Sequence, residues 1–330
     1  MSKASSTFDQ KLLTYKQPVS QYLSSIITKE KPQSLYEPMK YVLSGGGKQL
    51  RPVLMLLTAN AFGGAVERMI PAAGAIEILH NFTLVHDDIM DNDATRRGRP
   101  TVHHKWGIDV ALLAGDGLVA LAYESLARTQ TDRLIDVHRM FTECILELCE
   151  GQALDKEFEV SEDVSMEAYL EMIRKKTGRL LGLCTEMGCA LSGGSKTDMV
   201  ALRGFGESLG IAFQIQDDLL DITSEEKVLG KDFGSDIKRK KKTFLLIHAL
   251  EHGTEAQRAE IRKEMQSEQI SRDGIYRIRQ HFEEIGSIQC ALTTVQEYID
   301  TAEAHLDSLH RDISTGDLKN FLRYILKRKF

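Results

Sequence analysis

The stretch LVHDDIMDNDATRRG, residues 84–98, carries Asp87-Asp88-Ile89-Met90-Asp91 at the end of an apolar run with helical spacing. The form recurs 130 residues later as Asp217-Asp218-Leu219-Leu220-Asp221 in FQIQDDLLD, residues 213–221. On a helix, positions i and i+4 share a face, so Asp87 stacks with Asp91 and Asp217 with Asp221. Three carboxylates in little more than one turn repel one another unless a cation neutralises them. Paired hard oxygen ligands suit Mg²⁺, which usually keeps several waters and takes the phosphates of a substrate. One such cluster in an acidic chain is commonly a solvated face. Two copies, each behind an apolar helical stretch, predict two helices facing each other across a cavity with Mg²⁺ and diphosphate between them. Arg96-Arg97-Gly98 after the first copy fits, because arginines fork onto phosphate oxygens.

The 330 residues suffice for a large core, and a hydrophobic content of 42% marks a globular chain. A net charge of −6 argues against general nucleic-acid binding. No apolar stretch is read as approaching the ~20 residues of a membrane span. The start, MSKASSTFDQKLLTYKQP, shows no apolar signal core. Five cysteines, two pairs of them at x4 spacing in apolar helical contexts, match no zinc pattern. An odd count without a secretory signal points to a reducing cytoplasm.

All six prolines lie at or before Pro100, leaving Thr101–Phe330 free of them. Such a length without a helix breaker favours long helices. Apolar residues recur at helical spacing, as in Ile76-Leu79-Phe82, Leu112-Leu118-Leu121, Phe141-Ile145-Leu148 and Phe205-Leu209-Ala212-Ile215. No stretch alternates with a period of two. Breaks fall near residues 44–47, 92–99, 161–165, 192–197, 224–236 and 251–254. The expectation is one all-α domain over residues 1–330, a single large helical bundle around a central active-site cavity.

Ser44-Gly45-Gly46-Gly47-Lys48-Gln49-Leu50-Arg51-Pro52 lacks the Walker spacing. It reads either as a helix terminus followed by a turn, or as a loop whose glycines admit a diphosphate to Lys48 and Arg51. His80, seven residues before Asp87, shares that helix face about two turns away. It is either a core histidine or a hydrogen-bond donor to phosphate. Lys176-Thr177 lies in the helical stretch IRKKTGRLLG, Lys231 in Gly230-Lys231-Asp232, and Lys241 in the run Lys238–Lys242. Each alone fits a solvated face.

GGGKQLRP, LVHDDIMDNDATRRGRPT, LLAGDGL, EGQALD, KKTGRL, FQIQDDLLD, GKDFGSD and FLRYILKRKF occur in this order. From about residue 40 to the C-terminus the chain thereby resembles the trans-isoprenyl diphosphate synthases, the polyprenyl synthetase family. The resemblance is greatest to short-chain geranylgeranyl diphosphate synthases. It implies an all-α fold with a deep central cavity, usually a homodimer. By that resemblance Asp87, Asp88, Asp91, Asp217 and Asp221 hold several Mg²⁺ ions, with Asp218 in the second cluster. Arg96, Lys176 and Lys231 contact the allylic diphosphate. Lys48, Arg51, His80 and Arg97 bind the diphosphate of isopentenyl diphosphate. Thr177 and Gln214 lie beside the reacting allylic carbon. Lys241 completes the basic rim, and Lys327-Arg328-Lys329 closes over the site. The family's D-x-x-x-G-K-x-T pattern is broken here, where Lys240 stands at the glycine and no proline follows.

The implied reaction is chain elongation. Mg²⁺ and cationic side chains neutralise a departing allylic diphosphate, and the double bond of isopentenyl diphosphate attacks the allylic carbon. A proton is then lost, with the released diphosphate as acceptor, and water must be kept out. Phe82 lies roughly 7.5 Å down the helix axis from Asp87 but about 140° around it, so spacing alone leaves an ordinary core phenylalanine open. The family resemblance makes this position a floor of the product channel. An aromatic there followed by small Thr83 resembles the archaeal-type enzymes making the C20 product geranylgeranyl diphosphate, with C15 farnesyl diphosphate as runner-up. A class I terpene cyclase would leave Lys48, Arg51 and Arg96-Arg97 without a purpose. A non-catalytic subunit would typically have lost one aspartate cluster.

Overall fold

Long proline-poor amphipathic and apolar segments become helices almost without exception in the computed structural model, which describes residues 3–223, 233–310 and 312–326. In chain order the helices are α1 (Lys3–Ser25), α2 (Gln33–Leu43), α3 (Leu50–Ala61), α4 (Ile70–Met90), α5 (Val102–Trp106), α6 (Ile108–Ala127), α7 (Leu134–Val160) and α8 (Met166–Ile173). Then come α9 (Arg179–Leu191), α10 (Lys196–Thr223), α11 (Ser235–Lys238), α12 (Phe244–His252), α13 (Glu255–Gln266), α14 (Arg272–Ile285), α15 (Ser287–Asp307) and α16 (Gly316–Leu326). A 3₁₀ turn, Val66–Met69, leads into α4, and a π-helical turn, Arg174–Gly178, joins α8 to α9. The all-α expectation holds.

The chain divides into two compact units: Met1–Phe141 with Cys184–Met199 and Arg311–Leu318, and Thr142–Leu183 with Val200–His310 and Lys319–Phe330. In the first, α3 and α4 form the centre. Val53–Leu57 and Ala72–Ile76 are apolar all round and completely enclosed, as expected of a helix without a polar face. Gly188 of α9 lets that helix approach α3 so closely that a Cβ would sit 2.5 Å from the Met55 carbonyl. In the second unit, Ile211, Ile215 and Leu219 on one face of α10 pack with Phe244, Ile278 and Phe282. Its helix starts are set by caps that satisfy otherwise orphaned N–H groups: Ser165 on α8, Thr243 on α12, the Thr254–Gln257 capping box on α13 and Ser271 on α14.

One expectation is overturned. The reading that no apolar stretch approaches a membrane span does not hold for α6, which by length and composition is long and apolar enough to cross one. Within its own unit it buries Ala111, Ala114, Gly115 and Leu118 along α4 and leaves Ile108, Leu112 and Leu113 exposed, with Asp109, Asp116 and Glu124 interrupting it. One short hairpin interrupts the helices. Thr95–Arg96 and Arg99–Pro100 pair antiparallel, Arg96 opposite Arg99. Arg97 and Gly98 between them both have positive φ, 52° and 72°. Two left-handed central residues make the type I′ turn whose twist suits a two-residue hairpin.

Candidate active site

Within the first unit, α4 delivers His80, Phe82, Thr83, Asp87 and Asp88, and Asp91 is its C-cap residue. Backbone carbonyls accumulate negative partial charge at a helix C-terminus, so carboxylates there are disfavoured, and the last turn of α4 holds no basic residue. The second cluster lies in the last turns of α10, whose end also lacks a base. The backbone field at each of these helix ends opposes a carboxylate and favours a cation. Among the described residues no three histidine, cysteine or acidic side chains converge to hold a metal by themselves.

The clusters divide their labour. Asp88 is buried, accepts from Arg96 Nε at 2.6 Å, and its carboxyl is pushed up to about 6 by burial against the lowering effect of Arg96. Arg96 also lies 3.7 Å from Asp93, a partner the sequence did not suggest. Asp87 is partly exposed, as is Asp91. In the second unit Asp217 is the partly exposed member. Buried Asp218 accepts from the Tyr169 hydroxyl at 2.6 Å, from Phe244 N at 3.0 Å and from Gln214 Nε2 at 3.2 Å. Burial pushes its carboxyl up, and burial beside Asp218 pushes the Tyr169 phenol well above its ordinary value, so the phenol stays a donor. Asp221 is buried and holds the start of α11, accepting from Ser235 N at 3.1 Å, Ser235 Oγ at 2.6 Å and Asp236 N at 3.0 Å. Asp218 and Asp221 thus brace the surrounding chain, leaving Asp217 as the more accessible carboxylate.

The glycine loop between α2 and α3 is a built structure. Gly46 and Gly47 have positive φ, and a Cβ on Gly47 would lie 2.8 Å from the Arg97 guanidinium carbon. Arg97 Nη1 donates to the Gly46 carbonyl, Lys16 Nζ to the Gly47 carbonyl at 2.7 Å, and Ser20 Oγ to Gln49 at 2.7 Å. Gly47 is needed here for an arginine's approach. Lys48 stands exposed on the loop. Arg51, in the first turn of α3, donates from Nη1 to His80 Nε2 at 3.2 Å. Burial first, then Arg51 and Arg97, hold His80 well below its ordinary pKa. Phe82 packs edge-to-face on His86, ring centroids 4.7 Å apart, while Thr83 Oγ1 returns to the His80 carbonyl at 2.8 Å.

In the second unit Lys176 and Thr177 sit in the π turn. Lys176 Nζ donates to Asp155, a residue of EGQALD to which the sequence assigned no role. Thr177 Oγ1 donates to Gln214 Oε1 at 3.2 Å, linking it through Gln214 to Asp218. Lys240 carries the missing glycine's conformation, φ 57°, and Lys241 N donates to the Asp236 carbonyl at 2.9 Å. Lys231 and the basic end Lys327–Lys329 lie outside the described residues.

The polyprenyl synthetase family model matches residues 32–281. A geranylgeranyl pyrophosphate synthase of Geoglobus acetivorans is 39% identical over 94% of this chain and 96% of its own. The crystal structure of geranylgeranyl pyrophosphate synthetase from Pyrococcus horikoshii Ot3 superposes with a TM-score of 0.92 at 35% identity, covering 99% of this chain and all of that one. A polyprenyl synthase of Caulobacter crescentus CB15, solved with calcium and isoprenyl diphosphate, superposes with a TM-score of 0.87 at 25% identity over 98% of this chain and 97% of that one. A divalent ion accompanies the prenyl diphosphate in that relative. The chain belongs to the polyprenyl synthetase family and is a trans-prenyltransferase with the all-helical isoprenoid synthase fold.

Proposed function

We propose that the chain is a geranylgeranyl diphosphate synthase, condensing isopentenyl diphosphate with dimethylallyl, geranyl or farnesyl diphosphate to a C20 product. The observation that carries this is the composition of the first unit's site. Asp87 and Asp91 stand at the C-terminal end of α4, while two turns back His80 meets Arg51 beside the Arg97-clasped loop. Seven residues place the two groups about 10 Å apart along the axis. Acids suit a metal-bound diphosphate and the basic group suits a second diphosphate, so two diphosphate substrates are accommodated.

Asp87, Asp88, Asp91, Asp217 and Asp221 are the proposed Mg²⁺ ligands, Asp87, Asp91 and Asp217 foremost because they are the less buried. Bound Mg²⁺ supplies neutralisation of the charge that develops on the leaving diphosphate. Arg96, Lys176 and Lys231 bind the allylic diphosphate, and Lys48, Arg51, His80 and Arg97 the homoallylic one. Lys241 adds to the basic rim. Because His80 Nε2 accepts from Arg51, its role is to aim that guanidinium. Thr177 and Gln214 border the reacting carbon, from which water is excluded. The proton lost from isopentenyl diphosphate passes to the released diphosphate. Phe82, with Thr83 beside it, ends the product channel.

The chain functions as one catalytic domain, as a homodimer through the exposed Ile108, Leu112 and Leu113 of α6. It works in a reducing cytoplasm, consistent with five free cysteines. Labelled isopentenyl diphosphate incubated with each allylic primer, with Mg²⁺ or with chelator, tests the reading. Elongation that requires both Mg²⁺ and isopentenyl diphosphate supports it. Consumption of an allylic diphosphate without isopentenyl diphosphate would establish a cyclase instead.

A further inference from the structure

The π-helical turn Arg174–Gly178 is the least regular piece of helix in the second unit, and it carries Lys176 and Thr177. Its closing bond runs from Arg179 N to the Arg174 carbonyl. Residues 174 and 179 in an uninterrupted α-helix would point about 140° apart at ~100° per residue. The wider turn brings them towards one side. Both meet the same carboxylate there. Glu147 of α7 accepts from Arg174 Nη1 on Oε2 at 3.1 Å and from Arg179 Nε on Oε1 at 2.8 Å. Arg203 Nη2 of α10 adds a third bond to Oε1 at 3.2 Å. The Arg179 side chain is fully buried, and Glu147 gives its charge an anionic partner there.

The contact extends along α7. Four residues after Glu147, Gly151 presents no side chain, and a Cβ there would lie 2.5 Å from Lys176 N. Four residues further, Asp155 accepts from Lys176 Nζ. Spacing of four places Glu147, Gly151 and Asp155 in one stripe of α7. That stripe touches the turn at both ends, at its backbone and at its lysine.

We propose that Glu147 is a positioning residue that holds the Arg174–Gly178 turn in its π form, and so sets where Lys176 and Thr177 stand. In its absence the turn relaxes towards α-helical pitch, rotating the lysine and threonine away from their partners. The consequence for turnover rests on the proposed role of these two residues at the allylic substrate.

The test is Glu147→Gln, which keeps the shape and removes the charge, with Arg174→Met as a second variant that opens only one end. Two readouts are taken: amide hydrogen exchange over residues 174–180, and steady-state kinetics for each substrate separately. The expected result is at least tenfold faster exchange in that segment and a tenfold or greater fall in kcat/KM for the allylic primer. KM for isopentenyl diphosphate stays within twofold. Arg174→Met moves in the same direction by less, and decides the matter if Glu147→Gln does not fold. Unchanged exchange and unchanged allylic kinetics in the folded variants overturn the proposal. So do equal losses for both substrates with exchange raised throughout the chain. Lys176→Ala, assayed alongside, separates the two ideas. If it leaves allylic kinetics intact, the assignment of Lys176 fails, while the exchange result still decides the clamp.

Discussion

Arg51 donates to His80 Nε2 across 3.2 Å. A guanidinium cannot accept, so this nitrogen of His80 must, and the ring proton sits on Nδ1. Burial and the neighbouring arginines keep the ring neutral. The histidine thereby converts a flexible arginine into an aimed one. His80→Ala should raise KM for isopentenyl diphosphate about tenfold, the loss of roughly 1.5 kcal/mol for one hydrogen bond to a charged group. KM for the allylic primer should stay within twofold. Separate titrations of the two substrates check this, and an equal effect on both would contradict it.

Glu77 lies one turn before His80, is buried, and its carboxyl is pushed up to about 7, by burial first and against the lowering effect of Arg51. A carboxyl with a raised folded pKa holds its proton better in the native state. Folding therefore loses stability as pH rises from the ordinary carboxyl value, 4.5, to about 7. Glu77→Gln removes this dependence. Relative to the wild type, the variant should gain up to about 3 kcal/mol between pH 4.5 and 8. Urea unfolding of both proteins at the two pH values measures it, and a constant difference would refute the linkage.

The second aspartate cluster predicts opposite outcomes for adjacent residues. Asp218 satisfies three buried donors, so Asp218→Asn should destabilise the fold by about 2–4 kcal/mol, since an amide turns N–H groups toward donors. Asp217→Asn should leave the unfolding midpoint nearly unchanged while reducing turnover by two orders of magnitude or more. Paired denaturation and activity measurements separate bracing from catalysis.

Lys240 holds a left-handed backbone conformation, φ 57°, at the place where the family pattern has glycine. A side chain there costs roughly 1–2 kcal/mol, partly offset by the lower entropy of the unfolded lysine chain. Lys240→Gly should raise stability by about 0.5–1 kcal/mol, and Lys240→Ala should not. Destabilisation by glycine would show that the lysine side chain supplies more than the backbone loses.

The helical breaks near residues 44–47, 92–99 and 161–165 were legible because glycine, serine and charge interrupt apolar periodicity there. The hairpin at Thr95–Pro100 was not, because two-residue strands are too short to show alternation and Arg97 is an unusual occupant of a left-handed turn position. The apolar length of α6 was missed because Asp109, Asp116 and Glu124 punctuate it. Among the candidate site residues, the two acid clusters stand out by their spacing, whereas the roles of Arg51, Arg96 and Arg97 come from the family resemblance. Asp155 and Tyr169 were not, since the pairs Lys176–Asp155 and Tyr169–Asp218 join positions far apart in the chain. The same holds for the division within each cluster, which depends on burial that spacing does not encode.

Product length tests the central claim most directly. Labelled isopentenyl diphosphate and dimethylallyl diphosphate are incubated with the Mg²⁺-loaded wild type and with Phe82→Ala, and the dephosphorylated alcohols are sized. A dominant C20 alcohol from the wild type, with longer alcohols from the variant, is the predicted result. A wild-type product of C15 or C25, or a variant with unchanged chain length, would contradict it.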